Sequence, residues 1–194
     1  HSRAGIKVSD RRKQNDINLP VDSTQFQLIP AYARGRYQHL VDIQSDNRES
    51  SENSIFNQYF DGHEKSMGII AAGIGYNYLM ENYEDGKCPH PILKISQYPL
   101  PKSSIKKLFN ECEKILVLED GYPFIEEIIS DFLGENRNVI GRLSGHVNRV
   151  GELDPDSIKG ALGFDIEKVQ AMPKIVSGRP PDLCVGGDHR DLFD

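Results

Sequence analysis

Met67-Gly-Ile-Ile-Ala-Ala72 is a continuous apolar run stopped by Gly73. A strand solvated on one face alternates apolar and polar residues, so an unbroken run points to a strand covered on both faces. The downstream sequence supports that reading. Ile74 to Asn82 has the spacing of a helix, with Tyr78 and Leu79 on its inner side. Pro91-Ile-Leu-Lys-Ile-Ser96 is a second strand, stopped by Pro99 and Pro101. Lys102 to Glu113 is an amphipathic helix with Ile105, Leu108, Phe109 and Cys112 at i, i+3, i+4 and i+7. Ile115-Leu-Val-Leu-Glu119 is a third strand, and Asp120-Gly121 its turn.

Farther on, Phe124, Ile125, Ile128, Ile129, Phe132 and Leu133 make a broad apolar helical face behind Pro123. Asn138-Val-Ile-Gly-Arg-Leu143 is a weaker fourth strand. Asp154-Pro155-Asp156 opens a last helix as N-cap, first-turn proline and acid near the dipole, and Gly163 closes it. Alternating strands and helices imply parallel pairing and right-handed crossovers. The expected fold is α/β: an open, mostly parallel sheet with helices on both faces, over residues 65–163.

Outside that core the chain is less regular. Residues 1–64 are expected to be a connector carrying one helix, Ala31 to about Ile43, with Ala33, Tyr37, Leu40 and Val41 at helical spacing. Its first 24 residues are polar and basic, and read as mobile. Gln44 to Ser54 is polar throughout, either the exposed end of that helix or a loop. Residues 164–194 form a linker and the start of another domain. The chain opens on His1 and stops at Asp194 without a polar tail, and both ends are expected to be cut edges of a longer protein.

Composition narrows the function. With 23 Lys and Arg against 29 Asp and Glu, the net charge of −6 argues against a nucleic-acid role, which needs a basic face. No apolar run approaches the ~20 residues that cross a bilayer. Cys88, Cys112 and Cys184 form no CxxC pair, and an odd count of three fits a reduced, cytoplasmic compartment.

Several motifs bear on chemistry. Gly73-Ile-Gly75 sits between strand and helix like a dinucleotide loop, but Tyr78 stands where the third glycine belongs. No acid ends the second strand, so close strand-to-helix turning explains these glycines better. Cys88-Pro-His90 and the Cys184 to His189 stretch lack the converging second pair that zinc requires. There is no Gly-x-Ser-x-Gly elbow. Glu126-Glu127 reads as the wet side of its helix rather than an acid/base couple. Ser144-Gly145-His146 with Arg149 is a basic loop at a strand end, and can be either a functional loop or one that only packs against a neighbour.

A succession of blocks resembles one enzyme family. His1-Ser-Arg3 is similar to a Ser-His-Ser-Arg tail, Leu28-Ile-Pro-Ala-Tyr-Ala-Arg34 to Leu-Pro-x-Asn-Ala-Arg, and Ser54-Ile-Phe-Asn57 to Ser-Pro-Phe-Asn. Gly68 to Tyr78 is similar to Gly-Ile-Ile-x-Ser-Gly-x-Ala-Tyr-Asn-Tyr, and Tyr98-Pro-Leu-Pro101 and Val150-Gly-Glu-Leu-Asp-Pro155 continue the match. Arg179-Pro-Pro-Asp-Leu-Cys184, with Gly186 and His189-Arg190, resembles Arg-Pro-Pro-x-Leu-Cys-Pro-Gly-Cys-Pro-His-Arg. The family is the large subunit of indolepyruvate:ferredoxin oxidoreductase, of the 2-oxoacid:ferredoxin oxidoreductase superfamily.

The resemblance implies that residues 65–163 are the middle, transketolase C-terminal-like domain of such a subunit. The parent enzyme would use thiamine diphosphate with Mg, and [4Fe-4S] clusters, to convert an aryl pyruvate and CoA to acyl-CoA, CO2 and reduced ferredoxin. Its partners would be a smaller subunit and ferredoxin. No catalytic residue and no cofactor is expected on this chain alone, which would scaffold and dock the flanking domains. The resemblance makes Gly186, His189 and Arg190 the candidate cofactor-binding residues, with His1 at the other edge. Val185, Gly187 and Asp188 depart from the family pattern, which leaves a stand-alone interaction domain without catalysis as the alternative.

Overall fold

The computed structural model describes residues 10–11, 13–19, 21–133 and 138–166. Along them run α1 (Pro30–Asp42), α2 (Gln44–Glu52), β1 (Gln58–Phe60), β2 (Gly68–Ala72), α3 (Ile74–Met80) and β3 (Ile92–Ile95). Then come α4 (Lys102–Glu111), β4 (Lys114–Leu118), α5 (Phe124–Leu133), β5 (Asn138–Ile140) and α6 (Pro155–Ala161). The strands form one sheet in the order β1-β3-β2-β4-β5. β3, β2, β4 and β5 are parallel neighbours, and β1 runs antiparallel along β3. The open, mostly parallel α/β sheet expected from the sequence is therefore present, with an antiparallel edge that the sequence reading did not assign.

The apolar runs are continuous because both faces are covered, and the period of two divides them. Ile69 and Ala71 of β2, Ile92 of β3 and Leu116 and Leu118 of β4 face one side. There they meet Leu79 of α3, Ile158 of α6 and the loop residues Val147 and Leu153. Ile70, Leu93, Ile95, Ile115 and Val117 face the other side and meet Ile105, Leu108 and Phe109 of α4 and Ile125 and Ile129 of α5. Register fixes the layers: Ile69 lies opposite Ile92 on one neighbour and Leu116 on the other. A one-residue slip would exchange every one of these side chains between the two layers.

Local signals act as the sequence implies at α6. The Asp154 carboxylate accepts the Ser157 N–H at 2.7 Å, and Gly163 ends the helix at φ +82°. Replacing Asp154 by Ala removes that cap and is expected to cost about 1 kcal/mol. Urea unfolding would show it as a lower midpoint at unchanged slope.

Four expectations need correction or refinement. The helical spacing of Ala33, Tyr37, Leu40 and Val41 does mark a helix, but α1 contains no buried residue. The polar tract after it is helix α2, bonded through Ile43, and only Ser51 of it is buried. β5 stops at Ile140, because Gly141 turns the chain away. Glu126 is not on the wet side of α5: it is 2% exposed, while Ile128 is 39% exposed and Phe124 47%.

The upstream segment is tied to the sheet by a polar knot. The Asn57 side-chain amide donates to the carbonyls of Ser51 at 3.1 Å and Gln97 at 3.0 Å. Its oxygen accepts the Ser96 and Gln97 N–H groups, both at 2.9 Å. The Ser51 hydroxyl bonds the Pro99 carbonyl, and Ser54 donates to the Gln97 side chain at 2.6 Å. Glu52 reaches across to the Ser103 N–H at 3.1 Å, placing a carboxylate at the otherwise uncapped start of α4.

Candidate functional site

β2 leads through α3 to β3 on one side, and β4 leads through α5 to β5 on the other. The connections that leave their carboxyl ends therefore diverge, and the crevice between these is where open α/β sheets accept ligands. In this chain it encloses about 510 Å³ and is walled by Gly73, Tyr98, Glu119, Asp120, Tyr122 and Phe124. Tyr98 and Phe124 meet edge to face, with ring centroids 6.0 Å apart. The Tyr122 hydroxyl donates to Glu127 at 2.8 Å.

Glu119 directly follows β4 and is 6% exposed. Its two oxygens accept the N–H groups of Ile125 at 2.8 Å and Glu126 at 2.9 Å. Burial pushes its carboxyl above the usual range, opposed by those N–H bonds. The positive end of α5, where a phosphate would otherwise sit, is thus filled by the protein's own carboxylate. Next to it Asp120 accepts the N–H groups of Gly121 and Leu153, both at 3.0 Å.

Arg142, 2% exposed, closes the network. Its guanidinium donates to the carbonyls of Glu119 at 3.1 Å, Asn148 at 2.7 Å and Gly151 at 3.2 Å, and pairs with Asp120 at 3.4 Å. Glu126 accepts the Leu143 N–H at 2.9 Å. A Cβ at Gly141 would lie 2.6 Å from the Glu126 carboxylate, which would have to give way. Arg142, just ahead of the basic loop singled out by sequence, thus ties residues 141–153 together.

Its exposed members make a smaller set. The Ser144 hydroxyl accepts the Gly141 N–H at 2.8 Å and lies 3.0 Å from His146 Nδ1, with His146 and Arg149 in solvent. A triad needs an acid on the imidazole, and among the described residues none bonds His146. Gly75 is likewise explained by packing, since a Cβ there would lie 2.6 Å from the Leu118 carbonyl oxygen.

Cys88 packs on the α3 and α6 side of the sheet and Cys112 on the α4 side, so they cannot share a metal or cluster. Burial pushes both thiols up. Among the described residues no three His, Cys, Asp or Glu side chains converge as a metal site. No helix among them is long and apolar enough to cross a membrane. Gly186, His189, Arg190 and His1 lie outside the described residues, as does Cys184.

Sequence reasoning missed Glu119, Arg142 and Asn57. The signal for Glu119 was an acid placed between a buried strand and a helix start, where the only local donors are the helix's own N–H groups. Asn57 lay within one of the family-like blocks, but nothing in its neighbourhood announced a partner forty residues away.

No protein-family model and no solved structure matches the chain. It is similar to the indolepyruvate oxidoreductase subunit IorA of Methanothermobacter thermautotrophicus, at 28% identity over 204 residues that include all of this chain and 33% of that protein. The IorA subunit of Pyrococcus abyssi is 30% identical over 182 residues, 85% of this chain and 28% of its own length. That of Thermococcus kodakarensis is 30% identical over 192 residues, 89% of this chain and 29% of its own length. Over most or all of its length the chain is thus similar to indolepyruvate oxidoreductase IorA subunits, and it spans about a third of the length of these relatives.

Proposed function

We propose that this chain is the middle portion of a thiamine-diphosphate-dependent oxidoreductase subunit that converts an aryl 2-oxoacid such as indolepyruvate and CoA to acyl-CoA and CO2, reducing ferredoxin. In that reading it works in the cytoplasm beside a smaller partner subunit, and the parent carries thiamine diphosphate with Mg, and [4Fe-4S] clusters. The cofactor would supply the ylid chemistry, and the protein its binding and orientation.

The described residues do not fit these groups. A diphosphate at the crevice would meet the Glu119 and Asp120 carboxylates, with the α5 N–H groups already taken. Cys88 and Cys112 are on opposite faces of the sheet. In this reading the sheet and its loops carry no chemical step. They hold neighbouring domains in place.

The observation that supports docking is the run of large apolar side chains exposed along the upstream arm. Phe26 is 70% exposed, Leu28 89%, Tyr37 70%, Ile55 77% and Phe56 61%. A contact with another protein surface would cover these side chains. The test is an assay of two preparations: the native protein carrying this sequence, and the 194-residue chain. The native protein is expected to reduce a viologen dye only with aryl pyruvate, CoA and thiamine diphosphate together, and the chain to show no turnover. Activity in the chain, or none in a native protein of IorA length, would sink the reading; the second result would favour a non-catalytic interaction domain.

A further inference from the structure

We propose that the groove between α2, the loop after β3 and α5 binds a small organic anion, an aromatic ring carrying a carboxylate. The ring lies among Tyr98, Leu100, Phe124 and Ile128, and the carboxylate at Arg48 and Lys102. This goes beyond the oxidoreductase reading and does not depend on it, because the groove holds none of the groups which that reading calls on.

The groove encloses about 460 Å³, a volume typical of small-molecule sites. Its floor is apolar. Tyr98 is 51% exposed, Phe124 47% and Ile128 39%, with Leu100 half-buried beside them. Phe124 and Ile128 stand one turn apart on α5, at i and i+4, and so share the side that meets the groove.

Charge selects the ligand. Three charged residues border this floor: Arg48, Glu52 and Lys102. Both oxygens of Glu52 face the Ser103 N–H, at 3.1 and 3.2 Å, so the one acid is already engaged at the start of α4. Among the described residues no carboxylate pairs with Arg48. A cation is repelled by this pair of positive charges, and a neutral molecule gains only the apolar floor. An anion gains both, and the planar fork of a guanidinium suits a carboxylate.

The way α2 is held points to the same ligand. Its residues Gln44–Glu52 are all polar or charged, and only Ser51 is buried, so burial does not fix it. Hydrogen bonds do. Ser51 bonds the Pro99 carbonyl, Asn57 donates to the Ser51 and Gln97 carbonyls, and Glu52 accepts the Ser103 N–H. Arg48 stands three residues before Ser51 and four before Glu52, hence on the same side of the helix. The bonds that seat those two residues therefore seat Arg48 at the groove. A cation is held in place beside an apolar floor that offers it no counter-charge. A carboxylate on an apolar body supplies one.

The full chain would be titrated with 3-phenylpropionate, following the Tyr and Phe ring resonances by NMR at constant ionic strength. Two controls keep the ring and change the charge: 3-phenylpropanamide and 3-phenylpropylamine. No thiamine diphosphate, CoA or ferredoxin takes part, so the result stands apart from the oxidoreductase reading. The carboxylate is expected to bind saturably, about tenfold tighter than the amide or the amine, the worth of one charge-assisted contact. Arg48→Gln, at an exposed position, is expected to bring carboxylate and amide to equal affinity. Ile128→Asp, which puts an acid in the floor, is expected to weaken the carboxylate about tenfold as well, whereas Lys114→Gln at the far end of β4 leaves it unchanged. Equal binding of all three compounds, no saturable binding of the carboxylate, or full binding by Arg48→Gln would overturn the proposal.

Discussion

Arg142→Ala is expected to lower the unfolding free energy by about 3–5 kcal/mol, the cost of leaving a buried charge network without its cation. The guanidinium serves three carbonyls and one carboxylate at once. Removing it strands the three carbonyls and leaves the Asp120 carboxylate without its partner. A domain of this size holds about 5–15 kcal/mol in total, so much of the population would unfold under mild denaturant. Arg142→Lys should recover only part of the loss, because an ammonium cannot reproduce the planar fork. Urea unfolding followed by circular dichroism measures both. A loss below about 1 kcal/mol would mean the 141–153 loop is held by its apolar contacts, Val147 and Leu153, instead.

The second large effect tests why Gly75 is glycine. A Cβ there would lie 2.6 Å from the Leu118 carbonyl oxygen and 3.1 Å from its carbon. Both are backbone of the interior strand β4 and cannot rotate away. α3 would have to lift from the sheet, drawing Leu79 out of a fully buried position. Overpacking of this kind costs about 1–3 kcal/mol. Helix propensity alone points the other way, since Ala is favoured over Gly by roughly 1 kcal/mol inside a helix. Gly75→Ala is therefore expected to destabilise, read as a fall in the urea midpoint. A stabilised variant would show that packing does not explain the residue and would reopen the nucleotide-loop reading.

How much was legible in the sequence depends on the range of the force involved. The buried strands announced themselves because apolar runs such as Met67–Ala72 and Ile115–Leu118 have one good solution, cover on both faces. The cap at Asp154 was legible because donor and acceptor are three residues apart. β1 was not, since Gln58-Tyr-Phe60 has three residues and one apolar-polar alternation, too little for a period to show. Its hold comes from elsewhere: Tyr59 bonds Glu111 at 2.9 Å beneath Lys107, whose ammonium lies 3.8 Å from the ring centre.

Glu126 was misread for a related reason. Adjacent carboxylates on a helix usually face water, and only the Leu143 N–H, seventeen residues on, makes burial of one of them tolerable. The crevice was half legible. Its place is set by the strand order, whereas its walls come from three separate loops whose convergence no local pattern records. The cofactor-binding residues carried over by resemblance lie outside the described residues.

The bond between α2 and the sheet has a mechanical side. α1 and α2 form a bent rod of 23 residues from Pro30 to Glu52, roughly 34 Å long at helical rise, pinned at its C-terminal end. The pin is the cluster of Ser51, Asn57 and Gln97, and Tyr98 is the next residue in the chain. A rod anchored at one end is a lever. Force applied to α1 either flexes the joint at Ile43 or arrives as torque on Gln97, and so on the aromatic wall beside it.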